Sequence, residues 1–474
     1  MNRVTVDDLL SVRTPEQPAL SPDGDRVVFT LRTTDRDGDR DTRALWHVPA
    51  TGGEAAQLTQ GTADSTPVWS PDGTQLAFLR AQDGPAQVWL LPAGGGEARG
   101  LTTLPLGAGA PAWSPDGTRI AFSAPVDSAA LPGEGAETIL ARRSAPAATD
   151  RLGYKADGAG NLGTLVQQLH VLDVASKKVT VLTRGHSHAT EPFWSPDGTR
   201  LAFSSAAAED ADLTMRITVF TVSASDPNSA PVPVGPADVQ AAAVGWTPDG
   251  AHVIAAGRTD TAVGNADLLL FPLDGCAVRS ITGALDRNVM LGGPGYPGGM
   301  PQFDGAGNLV FCLRDNGYSH VHRIAIDGSD ATPLVTGTAN VSGLSVVGSA
   351  AAIVLATPDS FGDVALVDVA DGTTRTLTSF GVVADLDLVP AEERRFTISD
   401  GTVVTGWLRR DPDATGPLPL LLDVHGGPHN AWNGAADLIH PYHQVLARRG
   451  WAILTLNPRG SDGYGDAFFR AVSC

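Results

Sequence analysis

Cysteine is nearly absent from this chain, with Cys276, Cys312 and Cys474 the only three in 474 residues. They are too few and too scattered for a disulfide framework or a zinc-ligand pattern, so no structural metal is expected. Positive charge is scarce as well: 33 Lys and Arg stand against 52 Asp and Glu, a formal net charge of -19. An acidic surface of this kind argues against nucleic acid or an anionic membrane as partner, and its plain consequence is solubility. No apolar run approaches the length of a membrane span. The opening Met1-Asn2-Arg3-Val4-Thr5-Val6-Asp7-Asp8 has no apolar leader segment, so the cytoplasm is the expected location. Phosphate-binding and dinucleotide fingerprints are missing, and Gly94-Gly95-Gly96 falls in a hairpin rather than at a strand-to-helix junction, so no cofactor is expected.

What the chain does have is one hexapeptide, repeated. Trp69-Ser70-Pro71-Asp72-Gly73-Thr74 recurs letter for letter at Trp113–Thr118 and Trp194–Thr199. Relaxed copies stand at Ser21–Gly24, at Thr247–Gly250 after Trp246, and at Phe303–Asn308. Proline presets φ at the second turn position and glycine closes the fourth. Each turn precedes an apolar run such as Leu76-Ala77-Phe78, Ile120-Ala121-Phe122 or Leu201-Ala202-Phe203. A buried residue, a tight turn and a β-run make a hairpin.

Each such hairpin is followed by a second kind, whose last strand in most cases closes on Leu-Thr or Ile-Thr. It is clearest at 45–59 and 88–102, recurs at 169–183, 268–282, 321–336 and 364–378, and is less regular at 215–234. The first kind turns near residues 22, 71, 115, 196, 248 and 304, and in degenerate form near Gly348. Two hairpins per unit and seven units predict a seven-bladed β-propeller over residues 1–386. The spacing fits: Ser70 to Ser114 is 44 residues and Ser195 to Thr247 is 52. Ser114 to Ser195 is 81, so the third unit carries an insertion, around 124–164, that begins rich in Ala, Gly and Pro.

Near Val389 the pattern changes. Residues 392–399 and 402–410 read as two strands around Asp400-Gly401. Leu418–Val424 is a continuous apolar run, expected to be a strand buried on both faces. Residues 436–449 carry Leu438, Ile439, Tyr442, Val445 and Leu446 at helical spacing, and 451–456 is a second apolar strand. Strand, helix and strand of this length predict a βαβ crossover and hence an α/β domain over 387–474.

His425-Gly426-Gly427-Pro428 follows the first of these strands. A glycine pair there lets bare backbone N–H groups converge on one point, as an oxyanion hole requires. A plain Gly-Gly turn is the other reading, and the motif alone does not separate them. After the second strand comes Asn457-Pro458-Arg459-Gly460-Ser461-Asp462-Gly463-Tyr464-Gly465. HGGP, then NPRGSDGYG one strand later, behind a propeller with SPDG turns, resembles the prolyl oligopeptidase family of serine peptidases over essentially the whole chain. HGGP, NPRGS and the inserted Arg151-Leu152-Gly153-Tyr154-Lys155-Ala156-Asp157-Gly158 make it most similar to the acylaminoacyl-peptidase-like branch. The dipeptidyl-peptidase branch, which anchors a substrate amine with a glutamate pair in the propeller, is less similar; the Glu-Glu pair here, Glu392-Glu393, lies beyond the propeller.

The resemblance implies a fold of β-propeller plus α/β-hydrolase domain, short peptides as substrates, and Gly426 and Gly427 as the oxyanion site. It also implies a Ser, Asp, His triad, with the serine in a G-x-S-x-G elbow. No such elbow is present; Gly185-His186-Ser187-His188-Ala189 and Gly317-Tyr318-Ser319-His320-Val321 come nearest and lack the closing glycine. Ser473 has nothing after it to form one. All three triad members, and with them the rest of the hydrolase domain, are therefore expected to be missing from this chain. His425 is expected to organise its loop, while Arg459 and Tyr464 could bind substrate or support the site, a structural ion pair being the other reading of Arg459. His186/His188 and His320/His322 share the spacing of strand-borne metal ligands but read as ordinary surface histidines. In the implied topology Leu418–Val424 lacks one neighbour, and such an edge invites self-association. A non-catalytic propeller acting as a binding scaffold, and an esterase, are the alternatives.

Overall fold

A computed structural model of the chain describes residues 4–130, 134–146, 148–149, 152–156, 160–260, 263–293, 296–382 and 386–472. Ser473 and Cys474 lie outside the described residues, as do Arg151, Asp157 and Gly158 of the inserted motif.

In each hexapeptide the aspartate holds the turn. Ser70 Oγ donates to Asp72 Oδ1 (2.6 Å), the same oxygen accepts the Thr74 N–H (3.1 Å), and Ser70 Oγ accepts the Gln75 N–H (3.0 Å). The arrangement recurs at Ser114 and Asp116, Ser195 and Asp197, Thr247 and Asp249, and Ser21 and Asp23. Gly73 closes its turn at φ +68°, a conformation in which a Cβ is disfavoured. In Phe303–Asn308 there is no serine or proline, and Asp304 itself accepts the amides of Ala306 and Asn308. The Leu-Thr ending also has a physical cause. The threonine hydroxyl accepts an N–H from the third strand, Leu45 to Thr59, Val88 to Thr102, Leu169 to Thr183 and Val364 to Thr378, at 2.9–3.0 Å.

Around these turns the described residues fold into successive sheets, six of them four-stranded and antiparallel. By their contacts the residues fall into two compact units, one of Met1–Thr62, Val263–Asp267 and Ile281–Cys474, the other of Ala63–Ala262 and Leu268–Ser280. The second unit holds four sheets, whose second strands are Gln75–Arg80, Arg119–Asp127, Arg200–Ser205 and His252–Arg258. Their apolar faces interlock: Leu90 and Phe122 share one cluster, Leu169 and Phe203 the next, Val219 and Phe271 a third. In three motifs the tryptophan stitches its sheet to the one before. Trp113 Nε1 donates to the Val68 carbonyl (3.2 Å), Trp194 to Ala112 (2.9 Å) and Trp246 to Phe193 (2.9 Å). The insertion starts later than its composition suggests, because Arg119–Asp127 runs on through Ala124. It contains a helix, Ala136–Ser144, pinned where Arg142 bridges Asp127 and Glu134.

The first unit contains the sheet built on Thr14–Leu20 and Arg26–Asp35, the sheet from Gln302–Phe303 to Thr332–Val335, and the sheet from Asn340–Val347 to Thr374–Thr376. The last of these gains an unforeseen hairpin, Leu291–Gly293 and Tyr296–Gly298, that pairs parallel to Asn340–Val347. The C-terminal sheet follows the order Ala391–Thr397, Val403–Arg409, Ala452–Asn457, Leu420–Val424. Leu420–Val424 lies parallel to Ala452–Asn457, and the helix between them spans Tyr442–Arg448. That helix is half the expected length because Pro441 caps its start and residues 436–441 run irregularly. Burial of Leu418–Val424 on both faces is not found. The strand is at the sheet edge, where Leu420, Leu422 and Val424 are 57%, 53% and 51% exposed while Leu421 packs inward on Ile453 and Ala447.

The turn carboxylates make the fold acid-sensitive in a defined window. The Ser114 hydroxyl first, and then the Thr118 amide, hold Asp116 at about 2 against an ordinary 3.8, and Asp197 is held at about 2 in the same way. A depressed carboxylate contributes stability that is complete above about pH 4 and is lost as pH falls toward 2. Asp116→Ala and Asp197→Ala should each cost about 1 kcal/mol after solvent screening. Thermal melts at pH 7 and pH 2.5 would check this, the variants differing from wild type less at the lower pH.

Candidate functional site

Two loops leave the C-terminal ends of the parallel pair, the place where open α/β sheets present ligands. One begins with His425-Gly426-Gly427-Pro428, the other with Pro458-Arg459-Gly460-Ser461, and both lie in the first compact unit. His425 ties them together, its Nε2 lying 2.8 Å from Ser461 Oγ. The one hydroxyl proton goes to the Pro458 carbonyl at 2.6 Å, so His425 donates from Nε2. Burial lowers the pKa of His425 and the nearby Arg314 charge adds to this, while the Gly426 carbonyl, 3.2 Å from Nδ1, works the other way. His429 repeats the device: Nδ1 meets the Gly460 carbonyl at 2.8 Å and its ring stacks on Phe469 at 4.0 Å.

Beneath the loops sits Asn457, fully buried. Its Oδ1 accepts the Trp432 N–H (2.7 Å), and its Nδ2 donates to the Trp432 carbonyl (3.0 Å) and to Tyr464 Oη (2.8 Å). Tyr464 is thus a buried support, its phenol pushed up to about 12 by burial. Asp462 is buried beside Arg314 at 3.6 Å and accepts Asn288 Nδ2 at 2.8 Å. Burial works against both charges, and their attraction keeps them paired. Arg459 points elsewhere: it makes a half-exposed ion pair with Asp400 at 2.5 Å.

On this frame Gly427 takes φ +121°, a conformation open to glycine, and a Cβ on Gly426 would meet no atom within 4 Å. Among the described residues the amides of Gly426 and Gly427 donate no hydrogen bond. The arrangement can present two unpaired N–H groups from a loop held on both sides.

Other sequence candidates fall outside this frame. His186 and His188 are exposed in the second unit. His320 and His322 are not surface histidines: His320 is buried with Nε2 3.0 Å from the Gly337 carbonyl, and burial, followed by His320, pushes His322 down to about 4. They alternate in Tyr318–Ile324, an inner strand of its sheet. Among the described residues no three His, Cys, Asp or Glu gather as a metal site. Gly317-Tyr318 forms a hairpin tip pressed against the residue 430–434 loop. Asn457, Arg314 and Asp462 escaped sequence reading because no motif spacing marks a buried brace; the asparagine ending an apolar strand was the available signal.

The TolB β-propeller domain family model matches residues 12–130. The uncharacterized peptidase YuxL of Bacillus subtilis is 29% identical over 99% of this chain and 73% of its own length. Among solved structures, Pyrococcus horikoshii acylaminoacyl peptidase superposes with a TM-score of 0.78 at 16% identity, over 98% of this chain and 68% of its own. A puromycin-hydrolyzing peptidase of Mycobacterium tuberculosis gives 0.73 at 19%, over 99% and 70%. The chain is mainly β with a propeller-like domain, and these neighbours join a β-propeller to an α/β-hydrolase domain. Its homologues and structural neighbours are peptidases of the prolyl oligopeptidase family.

Asn457→Leu removes the clamp on Trp432 and strands two buried backbone groups, each costing about 1–3 kcal/mol. Arg459→Ala, which loses an exposed pair, should cost under about 1 kcal/mol. Urea titrations of the two variants should rank them in that order.

Proposed function

We propose that this chain is the propeller and oxyanion-bearing part of a serine peptidase of the prolyl oligopeptidase type, acylaminoacyl-peptidase-like or oligopeptidase-like, acting on short peptides. The observation that carries the reading is the pair of unpaired amides at Gly426 and Gly427 on a loop braced by His425, Ser461 and Asn457. Acyl transfer passes through a tetrahedral anion, and fixed N–H donors stabilise it as the charge develops. In this reading His425 and Tyr464 support the site, Arg459 serves the loop's outer ion pair, and substrate binding is not asked of it. A nucleophile, base and orienting acid must complete the chemistry. No G-x-S-x-G stands in the 474 residues, so this reading does not place the nucleophile elbow among them.

Residues 1–386 are read as one seven-bladed propeller, supported by seven repeats of four strands, and 387–474 as the first part of an α/β-hydrolase domain. The propeller would restrict entry to small peptides. The reading needs no cofactor, metal, nucleic acid or membrane partner, and the cytoplasm is its expected setting; among the described residues no helix is long and apolar enough to cross a membrane. The exposed edge Leu418–Val424 is read as a self-association surface, since unpaired strand edges template pairing. The missing elbow favours a second reading, a non-catalytic scaffold. An esterase would use the same acyl chemistry.

The purified chain should not react with a fluorophosphonate probe, whereas a form carrying the elbow and triad should label and cleave short peptides. Stoichiometric labelling of the 474-residue chain would contradict the assignment. Light scattering should show concentration-dependent association that Leu422→Lys reduces without lowering thermal stability. Association unchanged in that variant would place the contact elsewhere.

A further inference from the structure

The hairpin of Leu309–Asp315 and Tyr318–Ile324 turns through Asn316 and Gly317, at φ +48° and +85°. Two-residue turns of this kind are compact and usually end in solvent. This one ends against both site loops. The Gly317 carbonyl accepts Asn433 Nδ2 (3.2 Å), Tyr318 Oη accepts the Gly434 N–H (2.9 Å), and Arg314 Nη1 donates to Asn430 Oδ1 (3.1 Å). The Asn316 N–H goes to the Gly463 carbonyl in the second loop at 3.0 Å.

The fit is too close for side chains. A Cβ on Gly317 would overlap the Trp432 carbonyl oxygen, one on Gly434 would stand 2.6 Å from Tyr318 Oη, and one on Gly463 would stand 3.1 Å from Arg314 Cγ and from the Gly317 nitrogen. Trp432 is the residue that Asn457 clamps from its other side. Residues 425–441 contain no helix or strand, so the hairpin supplies contacts that regular structure does not. Ordering such backbone costs about 1–2 kcal/mol per residue, which those contacts must offset.

We propose that this hairpin tip is the positioning element of the His425–Gly434 loop, holding residues 430–434 so that the amides of Gly426 and Gly427 stay ordered and unpaired. Its catalytic consequence rests on the oxyanion reading; its effect on the loop does not.

The test is hydrogen–deuterium exchange over residues 425–434 in the full chain, with thermal melts alongside. Tyr318→Phe deletes one hydroxyl; it should raise exchange there about tenfold while the melting temperature moves by under about 3 °C. Gly317→Ala should do at least as much. Gly317→Asn should fail to rescue, because asparagine tolerates positive φ but carries the same Cβ. Wild-type exchange in Tyr318→Phe, or in Gly317→Asn, would overturn the proposal by reducing the tip to an ordinary turn. In a form carrying the triad, Tyr318→Phe should lower kcat with KM within about twofold. Raised exchange with unchanged kcat would keep the positioning role and remove the oxyanion reading.

Discussion

The parallel pairing of Leu420–Val424 with Ala452–Asn457 is the constraint on which the candidate site depends. Its register sets Leu420 against Ala452 and Val424 against Leu456, so His425 and Asn457 leave the sheet side by side. Both loops therefore start at one level, and short side chains span between them: His425 to Ser461, His429 to Gly460, Asn457 to Trp432. A slip of one residue would turn Asn457 to the opposite face and undo the clamp. The same pairing explains a liability. Only one edge of Leu420–Val424 is hydrogen-bonded, and the face carrying Leu420, Leu422 and Val424 is open to solvent.

The antiparallel sheets share an economy of design. In five turns one aspartate accepts a hydroxyl and an amide, in four sheets one threonine accepts an amide from the third strand, and in the second unit three tryptophans each reach the preceding sheet. None of these bonds is strong alone; repetition makes them a scaffold. On the sheet of residues 302–335 that scaffold is put to a second use, since its central hairpin ends against the residue 430–434 loop.

Much of this was legible in the sequence, and the failures have physical causes. The hairpin pattern was readable because turn chemistry is local: Pro and Gly declare it, and an apolar run follows. The role of Asp72 and its counterparts was not, since a carboxylate beside proline and glycine looks like one more turn former. The helix ending at Arg448 was overextended because Leu438 and Ile439 keep helical spacing through the break at Pro441. Leu418–Val424 reads as doubly buried because apolar content reports what a strand can bury, not which neighbours it has. HGGP and NPRGS marked the site, but Arg314 and the 316–318 tip lie more than a hundred residues upstream of them, and no local pattern predicts that approach.

The central claim is that Gly426 and Gly427 offer amides that are ordered yet unpaired. Backbone ¹⁵N relaxation and amide exchange at these two residues test it most directly. The account predicts order parameters near the rigid-backbone value of about 0.85 together with exchange close to the unprotected rate. Protected amides, already donating within the chain, or order parameters below about 0.6, would contradict it.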